Sequence, residues 1–335
     1  MKPRMLALGT IVIAGAWTGT AAAAVLCQRS SGTVVVRSAC KKRETSLDLT
    51  QFGATGPQGP QGPPGVGPLT QCPPDSALVG TVCVDKYEAS VWQIAPTNTT
   101  LIGKVRAGTV TLADLTGGGA TQLGCGYPAS NSAPFPANFP ASGQWAPVPG
   151  SSPPSPGVYA VSVAGVMPSA CISWFQAAQA CRLSGKRLLS NLEWQDAAAG
   201  TPDPGAADDG ATTCNTNTST GPANTGARTN CKSSYGVFDM VGNVWEWVAD
   251  WADQAANCTD WTSQTGLPGG DMVCFGGPGD TGGSPLKGIP GALIRGGDWG
   301  SLDEIAGGQS GGVFAVDSHT LPPSGGDNTG FRCGR

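Results

Sequence analysis

Twelve cysteines and a single histidine limit the chemistry open to this chain of 335 residues. A thiol set of this size forms disulfides in an oxidising compartment and metal or redox centres in a reducing one. The lone His319 excludes zinc or iron sites that take several imidazoles from one chain. A Ser-His-Asp triad would have to use His319, and no nucleophile-elbow pattern accompanies it. The formal net charge is −4 and charged residues make up 13% of the chain, with no basic stripe dense enough for nucleic acid.

The N-terminus indicates which compartment applies. Lys2 and Arg4 precede an apolar stretch from Met5 to Trp17, and Ala21 to Ala24 supply small residues for cleavage. Residues 1–24 therefore read as an export signal, set aside from the fold. The apolar run is too short for a good membrane anchor, and no second one follows, so no span is expected after cleavage. The protein is expected to be secreted or held at the cell surface. Cys27 would allow a lipid anchor, but Leu26 stands before it where a small residue is expected.

Three further regions follow. Residues 25–52 form a small module, with Cys27 and Cys40 bracketing the alternating run Thr33 to Arg37, which reads as a hairpin strand. A local Cys27–Cys40 disulfide is expected, because so short a loop closes cheaply. Lys41-Lys42-Arg43 reads as a solvated turn. In residues 53–68, Gly53, Gly56, Gly59, Gly62 and Gly65 recur at every third position with Pro-rich spacers. That is the period of a collagen triple helix, about five triplets or roughly 45 Å long. Two readings stay open: a homotrimeric stalk, or an extended linker. Residues 72–335 are long enough to bury a core of their own.

Within that last region few regular elements are evident. Cys72 and Cys83 are expected to pin a first strand, and Val82 to Trp92 reads as strand with polar insertions. Residues 117–157, rich in Gly, Pro, Ser and Asn, read as a long surface excursion. Ser173 with Gln176, and Ser190 with Glu193, are capping boxes that open two helices, stopped at Gly185 and Gly200. The fold class expected is α+β, disulfide-stapled, with little regular secondary structure.

Three segments then resemble one family. They are Cys171-Ile172-Ser173-Trp174, continuing to Gly185-Lys186-Arg187-Leu188 and Leu192-Glu193-Trp194; Gly236-Val237-Phe238-Asp239-Met240-Val241-Gly242-Asn243-Val244-Trp245-Glu246-Trp247; and Arg295-Gly296-Gly297-Asp298-Trp299, closing with Gly330-Phe331-Arg332-Cys333. In order and spacing they resemble the formylglycine-generating enzyme (sulfatase-modifying factor) family, and Val84-Asp85-Lys86-Tyr87-Glu88 is similar to its opening motif. The resemblance covers about residues 79–335 and implies a C-type-lectin-like fold.

Family enzymes oxidise a sulfatase cysteine to formylglycine, using O₂ and Cu(I) held by two cysteines, and soft thiolates suit that ion. The resemblance puts those positions at Ser301 and Ala306, and no cysteine lies between Cys274 and Cys333. Copper is therefore not expected, and catalytic residues are not assigned. Related iron enzymes of the superfamily need several histidines, which this chain lacks. The resemblance also implies a structural Ca²⁺ on the carboxylates of Asp239 and Glu246 and the carbonyls of Gly242 and Val244, oxygen donors that suit a hard ion. The competing reading makes Trp245 and Trp247 alternating core residues and pairs Glu246 with an arginine.

Two more expectations rest on the resemblance. In related lectin-like folds the tail forms the exposed binding face. Here Gly312 to Val316 reads as a strand, and Trp299, Asp303, Glu304, Gln309, Asp317, Ser318, His319, Asp327 and Asn328 are candidates for that face. The family joins its helix cysteine to the C-terminal one, here Cys181 to Cys333. Cys214–Cys231 and Cys258–Cys274 then read as local staples, which leaves Cys125 with Cys171. The expected protein is a non-catalytic ligand-binding or surface-display domain for an extracellular glycan or protein. The alternative is a formylglycine-generating oxidase, or a related modifying enzyme, with a rearranged site.

Overall fold

The computed structural model describes residues 25–31, 33–46, 71–125, 132–143, 157–217, 219–252, 273–274, 290–300 and 311–335. The export signal, the glycine-triplet run and Cys258 lie outside them. The chain divides into two units, Met1–Val66 and Gly67–Arg335.

In the first unit β1 (Val25–Arg29), β2 (Val34–Arg37) and β3 (Glu44–Ser46) form an antiparallel sheet in the order β2-β1-β3. A Cys27–Cys40 disulfide closes it. Arg37 grips Glu44 through two hydrogen bonds of 2.8 and 2.9 Å.

The described residues of the second unit hold three small sheets. Strands β4 (Ser76–Val79), β5 (Val82–Asp85) and β6 (Ser90–Gln93) come first, and a bend after Asp85 splits the expected Val82–Trp92 strand in two. Helices α1 (Thr99–Ala107) and α2 (Leu112–Gly117) were not foreseen. Asn98 caps α1 by accepting from the Leu101 amide, Gly108 ends it at φ +67°, and Thr111 with Asp114 forms a capping box for α2. Strands β7 (Thr121–Leu123) and β8 (Val158–Val161) flank β6 in an antiparallel sheet, order β7-β6-β8. The stretch read as a surface excursion therefore supplies a strand, and its Phe139 is buried in the core.

The two expected helices follow as α3 (Trp174–Leu183) and α4 (Asn191–Ala198), separated by β9 (Arg187–Leu188). Both capping boxes form: the Ser173 and Ser190 hydroxyls accept the Gln176 and Glu193 amides, and those side chains accept in return. The buried face of α3 is Gln176, Ala177, Ala180 and Cys181, and its small side chains let the helix settle against β8. The remaining strands are β10 (Trp245–Ala252), β11 (Val273–Cys274), β12 (Gly291–Arg295), β13 (Val316–Thr320), β14 (Thr329–Phe331) and β15 (Cys333–Gly334). A mixed sheet runs β11-β13-β12-β10-β14, and a four-stranded sheet runs β4-β5-β15-β9. The tail strand thus begins at Val316, where Gly312 to Val316 was expected.

Among the described residues four further disulfides are present: Cys72–Cys83, Cys125–Cys171, Cys181–Cys333 and Cys214–Cys231. The Cys181–Cys333 bridge ties α3 to β15. The expected Cys258–Cys274 pair lies outside the described residues.

The four-stranded sheet is also pinned by charge. Lys186 Nζ, buried, donates to Asp75 Oδ2 at 2.7 Å and Asp85 Oδ1 at 2.6 Å, and Arg335 Nη1 donates to Asp75 Oδ1 at 2.9 Å. The two acids respond differently. Burial works to raise Asp75, but the Lys186 ammonium outweighs it and holds the carboxyl below its usual range. Asp85 is fully buried, and there desolvation wins over Lys186 and raises it. Replacing Lys186 by Met would leave two buried carboxylates facing each other without their ammonium. The expected loss is roughly 3–5 kcal/mol at neutral pH. In that variant Asp85 loses the ammonium that opposes its desolvation and titrates higher still than when unfolded, so its part of the deficit widens as pH rises from about 4 to about 7, while Asp75 keeps Arg335. Urea unfolding of K186M and the parent at both pH values measures this.

Candidate functional site

Strand β10 lies between β12 and β14, so Trp245, Glu246, Trp247 and Val248 are all buried. Side chains alternate along a strand. Trp245 and Trp247 enter one apolar cluster and Val248 another, leaving Glu246 on the Val248 face. Its partner is Arg332, the single residue between β14 and β15. Arg332 Nε lies 2.9 and 3.1 Å from the two Glu246 oxygens, and Nη2 lies 2.5 Å from Oε1. The remaining donors reach the Asp85 carbonyl at 3.1 Å and the Phe238 carbonyl at 2.8 Å. Trp194 Nε1 on α4 donates to Glu246 Oε2 at 2.8 Å, and the Arg295 guanidinium stacks 4.5 Å from the Trp194 ring centre.

Two more acids face this pair. Glu88, fully buried, accepts from the Val244 amide and from Asn243 Nδ2. Asp239 Oδ2 accepts from the Gly226 amide at 2.7 Å. Burial raises the Glu88 carboxyl well above the usual carboxylate range, and the neighbouring charges of Asp239 and Glu246 add to the rise. Burial likewise pushes Asp239 up to about 7, against the Gly226 hydrogen bond and the pull of Arg332. Three carboxylates thus surround one paired guanidinium. The loop beneath them is tightly curled: Asp239, Gly242 and Asn243 have φ of +59°, +72° and +63°. A Cβ at Gly242 would lie 2.2 Å from the Asn215 carbonyl oxygen, so only glycine fits there.

The expected Ca²⁺ ligands divide accordingly. The excess of acid and the curled loop fit a cation held by Asp239 and the carbonyls of Gly242 and Val244. Glu246 has both oxygens on Arg332, as the competing reading had it. Among the described residues no group of three or more His, Cys, Asp or Glu side chains is arranged to hold a metal. Glu88 was missed as a site residue. Its signal was a lone carboxylate directly before the buried run Ala89 to Trp92.

The tail candidates separate as well. Asp298 Oδ2 accepts from Asn328 Nδ2 at 2.5 Å, which joins the segment after β12 to the loop before β14; their chain neighbours Trp299 and Asp327 are half-buried and exposed. That loop is anchored: its Pro322, Gly326 and Asn328 carbonyls accept from the Trp174, Cys171 and Trp245 amides. Asp317 and Ser318 are corrections to the expected exposed face. Both are buried, because β13 is an interior strand of its sheet. His319 lies on the same strand, while Ser301, Asp303, Glu304, Ala306 and Gln309 fall outside the described residues.

Residues 87–335 match the model of the sulfatase-modifying factor enzyme 1-like domain. The chain belongs to that family. Its mixed sheets, short helices and five disulfides make up an α+β, C-type-lectin-like fold. No curated protein matches the chain. Among solved structures it is similar to the Major Tropism Determinant P3c variant, with 15% identity, a TM-score of 0.38, and coverage of 93% of this chain and 71% of that one. The I1 variant gives 15% identity and a TM-score of 0.39 at the same coverage.

The ion pair at the centre of this family domain generates a quantitative expectation. Arg332→Met strips the counter-charge from Glu246 and costs roughly 3–5 kcal/mol. Adding Glu246→Gln recovers part of that loss, with a coupling of about 1–3 kcal/mol in a double-mutant cycle read by denaturant unfolding.

Proposed function

We propose that this protein is exported and acts as a non-catalytic ligand-binding or surface-display member of its family. One observation carries the reading: the family's copper positions are Ser301 and Ala306 here, and residues 275–332 contain no cysteine. Cys333, the next one along, is bridged to Cys181. Thiolate is the ligand Cu(I) requires, and among the described residues no cysteine is free. Asp327 and Asn328, on a loop fixed by backbone hydrogen bonds, and Trp299, next to the Asp298 that Asn328 contacts, would offer polar side chains and a ring to an extracellular glycan or protein. Five disulfides support an oxidising location. No helix among the described residues is long and apolar enough to cross a membrane.

The test is direct. The purified protein is incubated with copper, O₂ and a peptide carrying a sulfatase cysteine motif, and the peptide is weighed by mass spectrometry. It is expected to remain unconverted. Appearance of the aldehyde would overturn the reading in favour of an oxidase with a rearranged site.

Calcium at the Asp239 loop is a structural part of the same proposal. Asp239 and the Gly242 and Val244 carbonyls would hold the ion, which would supply positive charge to the acid-rich centre. Calorimetric titration of chelator-treated protein is expected to show binding and a raised melting temperature, both lost in Asp239→Ala. A flat titration removes calcium from the account.

A further inference from the structure

The described residues of the first unit form a sheet almost without a core. Of its residues whose side chains are described only Cys27 is buried, while Val34 and Val36 are 48% and 68% exposed. The register explains the arrangement. Val35 lies opposite Cys27, and Arg37 opposite Val25, so that face carries the disulfide and the Arg37–Glu44 pair. Val34 lies opposite Gln28, itself opposite Thr45, so Val34 and Val36 project from the other face, where Gln28 and Thr45 are also exposed. β-branched residues at alternating positions are the pattern of a face built to be covered. A three-stranded sheet of this size needs a hydrophobic face packed on something, and units under about 40 residues usually add disulfides, metals or oligomerisation. One disulfide is present, and the valine face is left over.

What covers it is indicated by the sequence just downstream. The glycine-triplet run begins at Gly53, a few residues after β3 ends at Ser46. Fully extended, that connection reaches no further than about 25 Å. Glycine at every third position serves a structure in which three chains share one axis, and a run of about five triplets needs help to hold them in register. Three such chains would bring three valine faces within tether reach of one another, at high effective concentration. We propose that the Val34–Val36 face of β2 is a homotrimer interface, where three copies of this chain bury their valines against one another at the head of the stalk. The proposal rests on the stalk reading of residues 53–68 and adds the surface that sets its register.

Light scattering on the full chain tests both parts and separates them. The parent protein is expected at three times the protomer mass, and Val34→Thr/Val36→Thr, which keeps the β-branched shape, at the protomer mass, a threefold fall. Peptide mapping confirms that the Cys27–Cys40 bond is retained. A parent at the protomer mass overturns the stalk reading and the interface together. A trimeric parent whose double variant stays trimeric overturns the interface alone and leaves assembly to the glycine run. A second variant guards against local unfolding: Val36→Cys is expected to form chain-to-chain disulfides under mild oxidation, and their absence in a trimeric sample also overturns the interface.

Discussion

The buried contact between Arg332 and Glu246 is the constraint around which the larger unit is arranged. The backbone passes from β14 to β15 through Arg332 alone, so this residue stands where the five-stranded sheet gives way to the four-stranded one. Its donors hold β10, the end of β5 and the loop before β10 at the same time. Burying a guanidinium costs several kcal/mol, and a buried pair seldom repays more than its own desolvation. What such a pair supplies here is register. Glu246 lies opposite Gly330 on one side and Arg295 on the other. A slip of one residue would turn a tryptophan toward Arg332 and send the carboxylate into the apolar cluster.

The charge centres at Lys186 and Arg332 are balanced differently. Around Lys186 there are two acids and two bases, and one of the acids is held below its ordinary range. Around Arg332 there are three acids, two of them driven upward. The excess falls beside a loop in which Asp239 and Asn243 adopt a left-handed backbone that costs side-chain-bearing residues energy. Buried carboxyls driven upward and a left-handed backbone thus lie close together at this loop. The proposed calcium ion would offset both, by neutralising acids and by taking backbone carbonyls as ligands.

Local signals in the sequence were legible where the physics is local. Ser173 and Ser190 each had their capping partner three residues on, so both helices could be placed. Thr111 with Asp114 sent the same signal for α2, and Asn98 with Gly108 marked the ends of α1, but Gly and Thr around them masked the apolar positions Leu101, Ile102 and Val105. The partner of Glu246 was not legible as a particular residue: any arginine serves at the level of composition, and the pairing spans 86 positions. Asp317 and Ser318 misled for a related reason. Polar residues at the end of an apolar run suggest a solvent-facing loop, and only the strand order reveals β13 as an interior strand.

The position of Cys333 joins these strands of argument. It follows Arg332 directly, and its bridge to Cys181 closes a loop of 152 positions. On the chain-entropy account, a crosslink over so long a loop contributes on the order of 5 kcal/mol, by restricting the unfolded chain. It also fixes the backbone that presents Arg332 to Glu246, so the oxidised sulfur and the ion pair support each other. A chain that uses its C-terminal thiol in this way, with no cysteine in the preceding 275–332, has no soft ligand to offer a copper ion in that region. On the proposed reading, the C-terminal rim would work through ring faces, amides and carboxylates on a loop held by backbone hydrogen bonds to Cys171, Trp174 and Trp245.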